Sequence, residues 1–151
     1  MQVSPVNPAT LSYKMAVCEI EYNWAYPTTY PYGTFWMYEF GVWSPLYIDG
    51  YVNSLPHPGS EHGFGINSNA PSGHDCSTTE PNYDPYGMPH GMMNSWPSQA
   101  GDLDPIVADA SGYGAWSNYS WIPSLYGYHA IPDNSLCVYE YYGPDEADYK
   151  T

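Results

Sequence analysis

The chain has no arginine and only two lysines, Lys14 and Lys150, against 16 aspartates and glutamates, so its formal net charge is −14. Nucleic-acid affinity comes from cations that displace phosphate counterions, so DNA and RNA are excluded as partners. Anionic membrane surfaces are excluded on the same ground. Phosphorylated substrates would find neither a guanidinium fork nor a phosphate loop. No apolar run approaches the length of a membrane span. Charged residues make up only 12% of the chain, so the imbalance comes from missing cations rather than from an excess of carboxylates. A net charge of this size keeps copies apart unless a dry interface or bound cations overcome the repulsion.

Leucine, isoleucine and valine are sparse. The three cysteines, Cys18, Cys76 and Cys137, are an odd number and imply no disulfide framework. Buried free thiols are the preferred state, and Cys18–Cys137 is the pair that neighbouring strands would allow. The opening MQVSPVNPATLSYK carries neither a basic nor an apolar region of the kind a secretory signal needs. A virion or extracellular location without an export signal is the expectation.

What the chain has instead is aromatic surface: 18 tyrosines and six tryptophans. In residues 22–40, nine of nineteen side chains are aromatic and one, Glu39, is charged. Each buried tyrosine hydroxyl needs a hydrogen-bond partner, and one small core cannot supply so many. Many rings are therefore expected at the surface or at contacts with another molecule.

Periodicity points to strands. In 13–26, Ala16, Cys18, Ile20, Tyr22 and Trp24 fall on one face, with Glu19, Glu21 and Asn23 on the other. Residues 34–43 form a second strand of β-branched and aromatic residues. Asp49-Gly50, between two short apolar runs, predicts a hairpin turn. The 53–135 stretch holds ten prolines and ten glycines, too many for a helix of normal length. Within it, 104–110 predicts a short helix with Asp104 as N-cap and Pro105 at the first position, and 116–122 and 125–131 predict short strands. A last strand spans 136–142. The fold class expected is all-β: an antiparallel sandwich or barrel-like domain with long irregular Pro/Gly-rich loops. It is read as one domain over 1–151, strand-rich in 13–52 and 136–142, loop-rich in 53–135, with a mobile tail at 143–151.

Candidate metal ligands are His57, His62, His74 and Cys76, with His90 further on, because imidazole and thiolate bind zinc and copper. Their spacing matches no zinc module. Asp102 and Asp104, with Asp109, form an acidic set that admits calcium, although the order of a calcium-binding loop is missing. Glu19 and Glu21 stand about 6–7 Å apart on one strand face, a pairing that glycoside hydrolysis would use. No serine elbow, Walker loop or dinucleotide fingerprint is present.

Tyrosine, tryptophan, serine, glycine and asparagine together are the chemistry of contact surfaces. The function expected is thus a structural subunit of a repetitive assembly, such as a virion decoration, capsid or fibre protein or an extracellular lattice or filament, and not an enzyme. Its partners would be further copies of the chain, as a homo-oligomer, or neighbouring structural subunits. The candidate contact residues are Tyr26, Tyr30, Tyr32, Tyr86, Trp96, Tyr113, Trp116, Tyr119, Trp121 and Tyr126. The alternative is a glycan-binding β-domain that uses the same rings as platforms. A second alternative is a small metal-dependent or glycosidic enzyme. No cofactor is expected, calcium apart.

Overall fold

Side-chain alternation builds the main sheet. The computed structural model describes residues 13–21, 30–70, 72 and 76–141. Strands β1 (Lys14–Ile20), β2 (Tyr32–Glu39), β3 (Leu46–Asn53) and β7 (Gly114–Ser120) form one antiparallel sheet in the order β1-β2-β3-β7. Phe35 and Met37, then Leu46, Ile48 and Val52, then Trp116, point inward and are buried. Each such side chain contributes about 1.5–3 kcal/mol. Ala16, Cys18 and Ile20 of β1 pack against the same core, as their alternation predicts; Tyr22 and Trp24 lie outside the described residues. The opposite face of the sheet carries much of the aromatic excess: Tyr38 is in register with Tyr47, and Tyr47 with Tyr119.

Across the core lie two smaller ladders. β4 (Glu61–His62) pairs with β6 (Ile106–Val107), and β5 (Phe64–Asn67) pairs with β8 (Ser135–Val138). Phe64 joins the layers, its ring 4.8 Å from Phe35 and 5.1 Å from Trp116. The fold is all-β and antiparallel, sandwich-like, with long loops. Among the described residues the helical content is a single 3-10 turn, Cys76–Thr78.

The loops pack through their own apolar residues: Leu55, Ala100, Leu103, Leu125 and Ile131 are all buried. Glu39, 1% exposed at the end of β2, accepts Ser124 Oγ at 2.9 Å and the Leu125 N–H at 2.5 Å. Lys14 Nζ donates to Leu125 O at 2.8 Å and sits 4.5 Å from the Tyr126 ring centre. These bonds close 124–131 onto the sheet, where a single bridge, Ser124↔Ala130, replaces the strand predicted for 125–131.

Other expectations are corrected. Asp49-Gly50 is not a turn; it lies inside β3, with Gly50 opposite Phe35. Glycine stands there because two backbones come close: a Cβ would lie 2.3 Å from Thr34 O and 2.5 Å from Phe35 Cδ1. The turn into β3 falls earlier, where Gly41 has φ +110° and Ser44 N–H donates to Gly41 O at 3.0 Å. Residues 104–110 form no helix. Ile106 pairs with His62, and Ala108 N–H donates to Ser60 O at 2.9 Å, so long-range pairing overrides the local capping signal.

Gly50→Ala is expected to destabilise the protein by about 3 kcal/mol, because the methyl meets backbone on one side and the Phe35 ring on the other. The midpoint of urea unfolding measures it.

Candidate functional site

Strand β5 is buried at all four positions and has backbone partners on both edges. One edge pairs with β8. On the other, Ile66 N–H donates to Gly101 O at 3.0 Å and Tyr83 N–H donates to Ile66 O at 2.8 Å. Two polar clusters flank this strand.

The first is buried. Asn67 Nδ2 donates to Thr79 Oγ1 and to the Tyr139 hydroxyl, each at 2.7 Å, and lies 3.6 Å from Cys137 Sγ. Thr79 Oγ1 donates in turn to Cys76 O at 2.6 Å. A Cys76–Cys137 disulfide closes the cluster across 61 residues of sequence. The expectation of free thiols, or of a Cys18–Cys137 pair, is thereby corrected. Cys18 is the free cysteine, and burial pushes its thiol pKa up, away from the reactive thiolate.

The second cluster centres on Asp102. Its Oδ1 accepts His90 Nδ1 at 2.8 Å and Asn82 Nδ2 at 3.0 Å. Its Oδ2 accepts Gly91 N–H at 2.9 Å, Ser98 Oγ at 3.0 Å and Gln99 N–H at 2.8 Å. Asn82 spends its other N–H on Gln99 Oε1 at 2.7 Å, and Gln99 Nε2 donates to Met88 O at 3.0 Å. The space is tight: a Cβ on Gly101 would come within 2.6 Å of Asn82 Oδ1.

The sequence-predicted ligands do not converge. His57 Nε2 lies 2.9 Å from Glu140 Oε1 and 3.0 Å from the Tyr141 hydroxyl, with its ring stacked on Tyr141. His62 is fully buried, with Nδ1 3.1 Å from Tyr139 O. Since a carbonyl only accepts, Nδ1 carries the proton of this ring, and the buried Nε2 has no partner at hydrogen-bond distance. Cys76 is consumed by the disulfide, and His74 lies outside the described residues. Asp104 is not a helix cap; burial raises its carboxyl pKa, and its backbone O accepts Trp116 Nε1 at 3.0 Å. Asp109 closes a loop through Ser111 and Tyr113, which hold its pKa down. Glu19 accepts Thr34 Oγ1 at 3.0 Å on an open sheet face.

Of the aromatic candidates, Tyr30, Tyr32, Tyr86, Trp96, Tyr113, Tyr119 and Trp121 are exposed. Tyr126 is partly buried against the core, and Tyr26 lies outside the described residues. Trp116 is a correction: it is 7% exposed and a core residue, edge-on to Phe64. Sequence inspection did not single out Asn67, Asn82, Gln99 or Tyr139. Nothing marks such amides and phenols in sequence, because their role exists only once β5 lies beside two distant loops.

Comparison with known proteins gives this frame a lineage. The family model "Copper/zinc superoxide dismutase (SODC)" matches residues 32–148, and the chain belongs to that family. A superoxide dismutase [Cu-Zn] from Cryptococcus neoformans var. grubii serotype A is 28% identical over 115 residues, 74% of this chain and 71% of that protein. Membership overturns the expectation of a virion, fibre or lattice subunit and of a protein without catalytic activity, since family and relative are both named for an enzyme. It also overturns the expectation of no cofactor or calcium, since the metals in those names are copper and zinc. A homo-oligomer is consistent with membership, whereas neither a glycan nor a neighbouring structural subunit finds support.

The donor set was tested against those metals. Copper and zinc take imidazole, thiolate and carboxylate ligands. Among the described residues, no group of three or more His, Cys, Asp or Glu could hold a metal ion. The side chains gathered around β5 are amides, hydroxyls and a phenol, with one carboxylate, Asp102, and one imidazole, His90, already hydrogen-bonded to each other, and the nearby sulfurs are oxidised. An amide nitrogen has no lone pair to give. The described residues therefore do not fit copper and zinc.

Two outcomes follow. Cys137→Ser is expected to cost about 4 kcal/mol, the chain-entropy value for a loop of this length, read from equilibrium unfolding. The second concerns His62, whose pKa burial lowers. Below about pH 6.5 the unfolded imidazole binds a proton that the folded ring still refuses, so falling pH favours unfolding. Stability is expected to be full above that pH and to fall as pH drops below it. His62→Gln removes that part of the slope, measured as unfolding free energy against pH.

Proposed function

We propose that this protein acts on superoxide, the activity that names its family. The observation that carries the proposal is the family match over 32–148, which takes in every strand from β2 to β8. The activity printed for the Cryptococcus relative supports it. The donor set is what the proposal must overcome. Because the described side chains do not fit copper and zinc, no electron-transfer step through either metal follows from them. The Cys76–Cys137 disulfide supports an oxidising location such as the extracellular space.

Charge bears directly on such an activity. Superoxide is an anion, and the chain carries −14 with no arginine to draw it in. Like charges slow encounter, and salt screens the repulsion. Superoxide consumption by protein supplied with copper and zinc is therefore expected to rise with ionic strength, where a steered enzyme would slow. Stopped-flow decay of superoxide at low and physiological salt, beside elemental analysis of the same sample, measures both. Folded, metal-supplemented protein that leaves the uncatalysed decay rate unchanged overturns the proposal.

A further inference from the structure

The family is named for two metals, and the carboxylate nearest to being a ligand is already saturated. A carboxylate offers about four lone-pair directions. Asp102 meets five donors: His90 Nδ1, Asn82 Nδ2, Gly91 N–H, Ser98 Oγ and Gln99 N–H. Its side chain is 9% exposed and Ser98 is 1% exposed, so the bonds from Asn82, Ser98 and Gln99 are shielded from water, while those from His90 and Gly91 lie at the surface. The donors come from positions 82, 90, 91, 98 and 99, which span the long segment between β5 and β6. A cation seated on either oxygen would have to displace these donors, and the amide oxygen Gln99 Oε1 is already taken by Asn82 Nδ2.

We infer that Asp102 is the metal-free fastener of this segment: a hydrogen-bond hub holds residues 82–102 to β5, and neither zinc nor copper binds there or is needed for the fold. The inference goes beyond the proposed activity. It is read from stability and loop protection, so a negative superoxide assay leaves it standing and a positive one does not establish it. The geometry supports it twice over. Asn82 is bridged to Asn67 on β5 and also donates to Asp102, so hub and strand share a residue. Asp102 itself bridges to Gly65. Loss of the hub would free the segment while leaving the four-stranded sheet intact.

The experiment uses the full chain. Thermal unfolding of the wild type and of Asp102→Asn is measured in chelator, and then with zinc alone and with copper alone. Limited proteolysis of the wild type and of Asp102→Asn follows, with the cut sites mapped. The wild-type Tm is expected not to fall in chelator, and any gain with zinc or copper is expected to be the same in Asp102→Asn, because neither metal seats on the hub. Asp102→Asn, which turns one acceptor oxygen into a donor, is expected to lower Tm by about 5–10 °C and to speed cleavage within 84–98 about tenfold. If that variant does not fold, Ser98→Ala removes a single donor and is expected to give the same loop-confined cleavage at a smaller rate. A wild-type Tm that falls in chelator, or a gain in Tm with zinc or copper that Asp102→Asn abolishes, overturns the inference. So does a hub variant whose loop is as protected as the wild type's.

Discussion

Strand β5 is four residues long, buried, and has to satisfy a backbone on two edges at once. That constraint organises everything outside the four-stranded sheet. One edge takes β8, the other takes Gly101 and Tyr83, and beyond its ends Ser68 N–H donates to Pro81 O and Tyr139 N–H to Gly63 O. A buried amide or carbonyl left unpaired costs about 1–3 kcal/mol, so segments 79–83, 99–102 and 135–141 have little freedom to lie elsewhere. Phe64 then carries the constraint across the core through its contacts with Phe35 and Trp116. Glycine at 65 and 101 follows from the same crowding, since a Cβ on Gly101 would stand 2.2 Å from Ile66 O.

The missing cations have a structural counterpart. A chain with two lysines, no arginine and 16 carboxylates must leave nearly all of those carboxylates without a guanidinium or ammonium partner. It pairs them with N–H and O–H groups instead. Glu39 takes Ser124 and the Leu125 amide; Asp84 takes the Met88 amide; Asp109 takes Ser111 and the Tyr113 amide; Asp102 takes five donors. Each of these acceptors closes a loop. Acidity and loop content are therefore connected: a fold with so much irregular backbone leaves many N–H groups outside ladders, and carboxylates are the strongest acceptors for them. Burial of Glu39 and Asp102 is tolerable because the donors are backbone N–H groups and mostly short side chains held in place by the fold.

The sequence made the sheet legible where alternation was strict and one face apolar, as in Ala16-Cys18-Ile20. It misled where a local signal was genuine but outweighed. Asp49-Gly50 has turn chemistry, yet the glycine is there for close backbone approach inside β3. Asp104-Pro105 has helix-start chemistry, yet Ile106 gains more by pairing with His62. The aromatic excess was correctly read as more ring surface than a core can hold: Trp43, Trp96 and Tyr128 stand open, while Trp116 and Phe35 fill the interior. The inference from open rings to an assembly subunit failed because exposed aromatic area speaks of surface and is silent on lineage. The polar clusters were illegible, since Asn67, Thr79 and Tyr139 meet only after β5 and β8 pair.

Frame and chemistry answer to different residues, and this chain separates them. The frame rests on the burial of Phe35, Ile48, Val52, Phe64, Ile66 and Leu136, which any apolar side chain of similar volume sustains. A copper or zinc centre instead needs particular donor atoms at particular points. The buried amides are tolerated because each is satisfied inside the protein: Asn67 by Thr79 and Tyr139, Asn82 by Gln99 and Asp102. A metal centre ties loops together through one ion, whereas a hydrogen-bond hub spreads the same task over several weaker bonds that need no loading. Residues 82–102 are held in the second way, through Asp102 and its five donors.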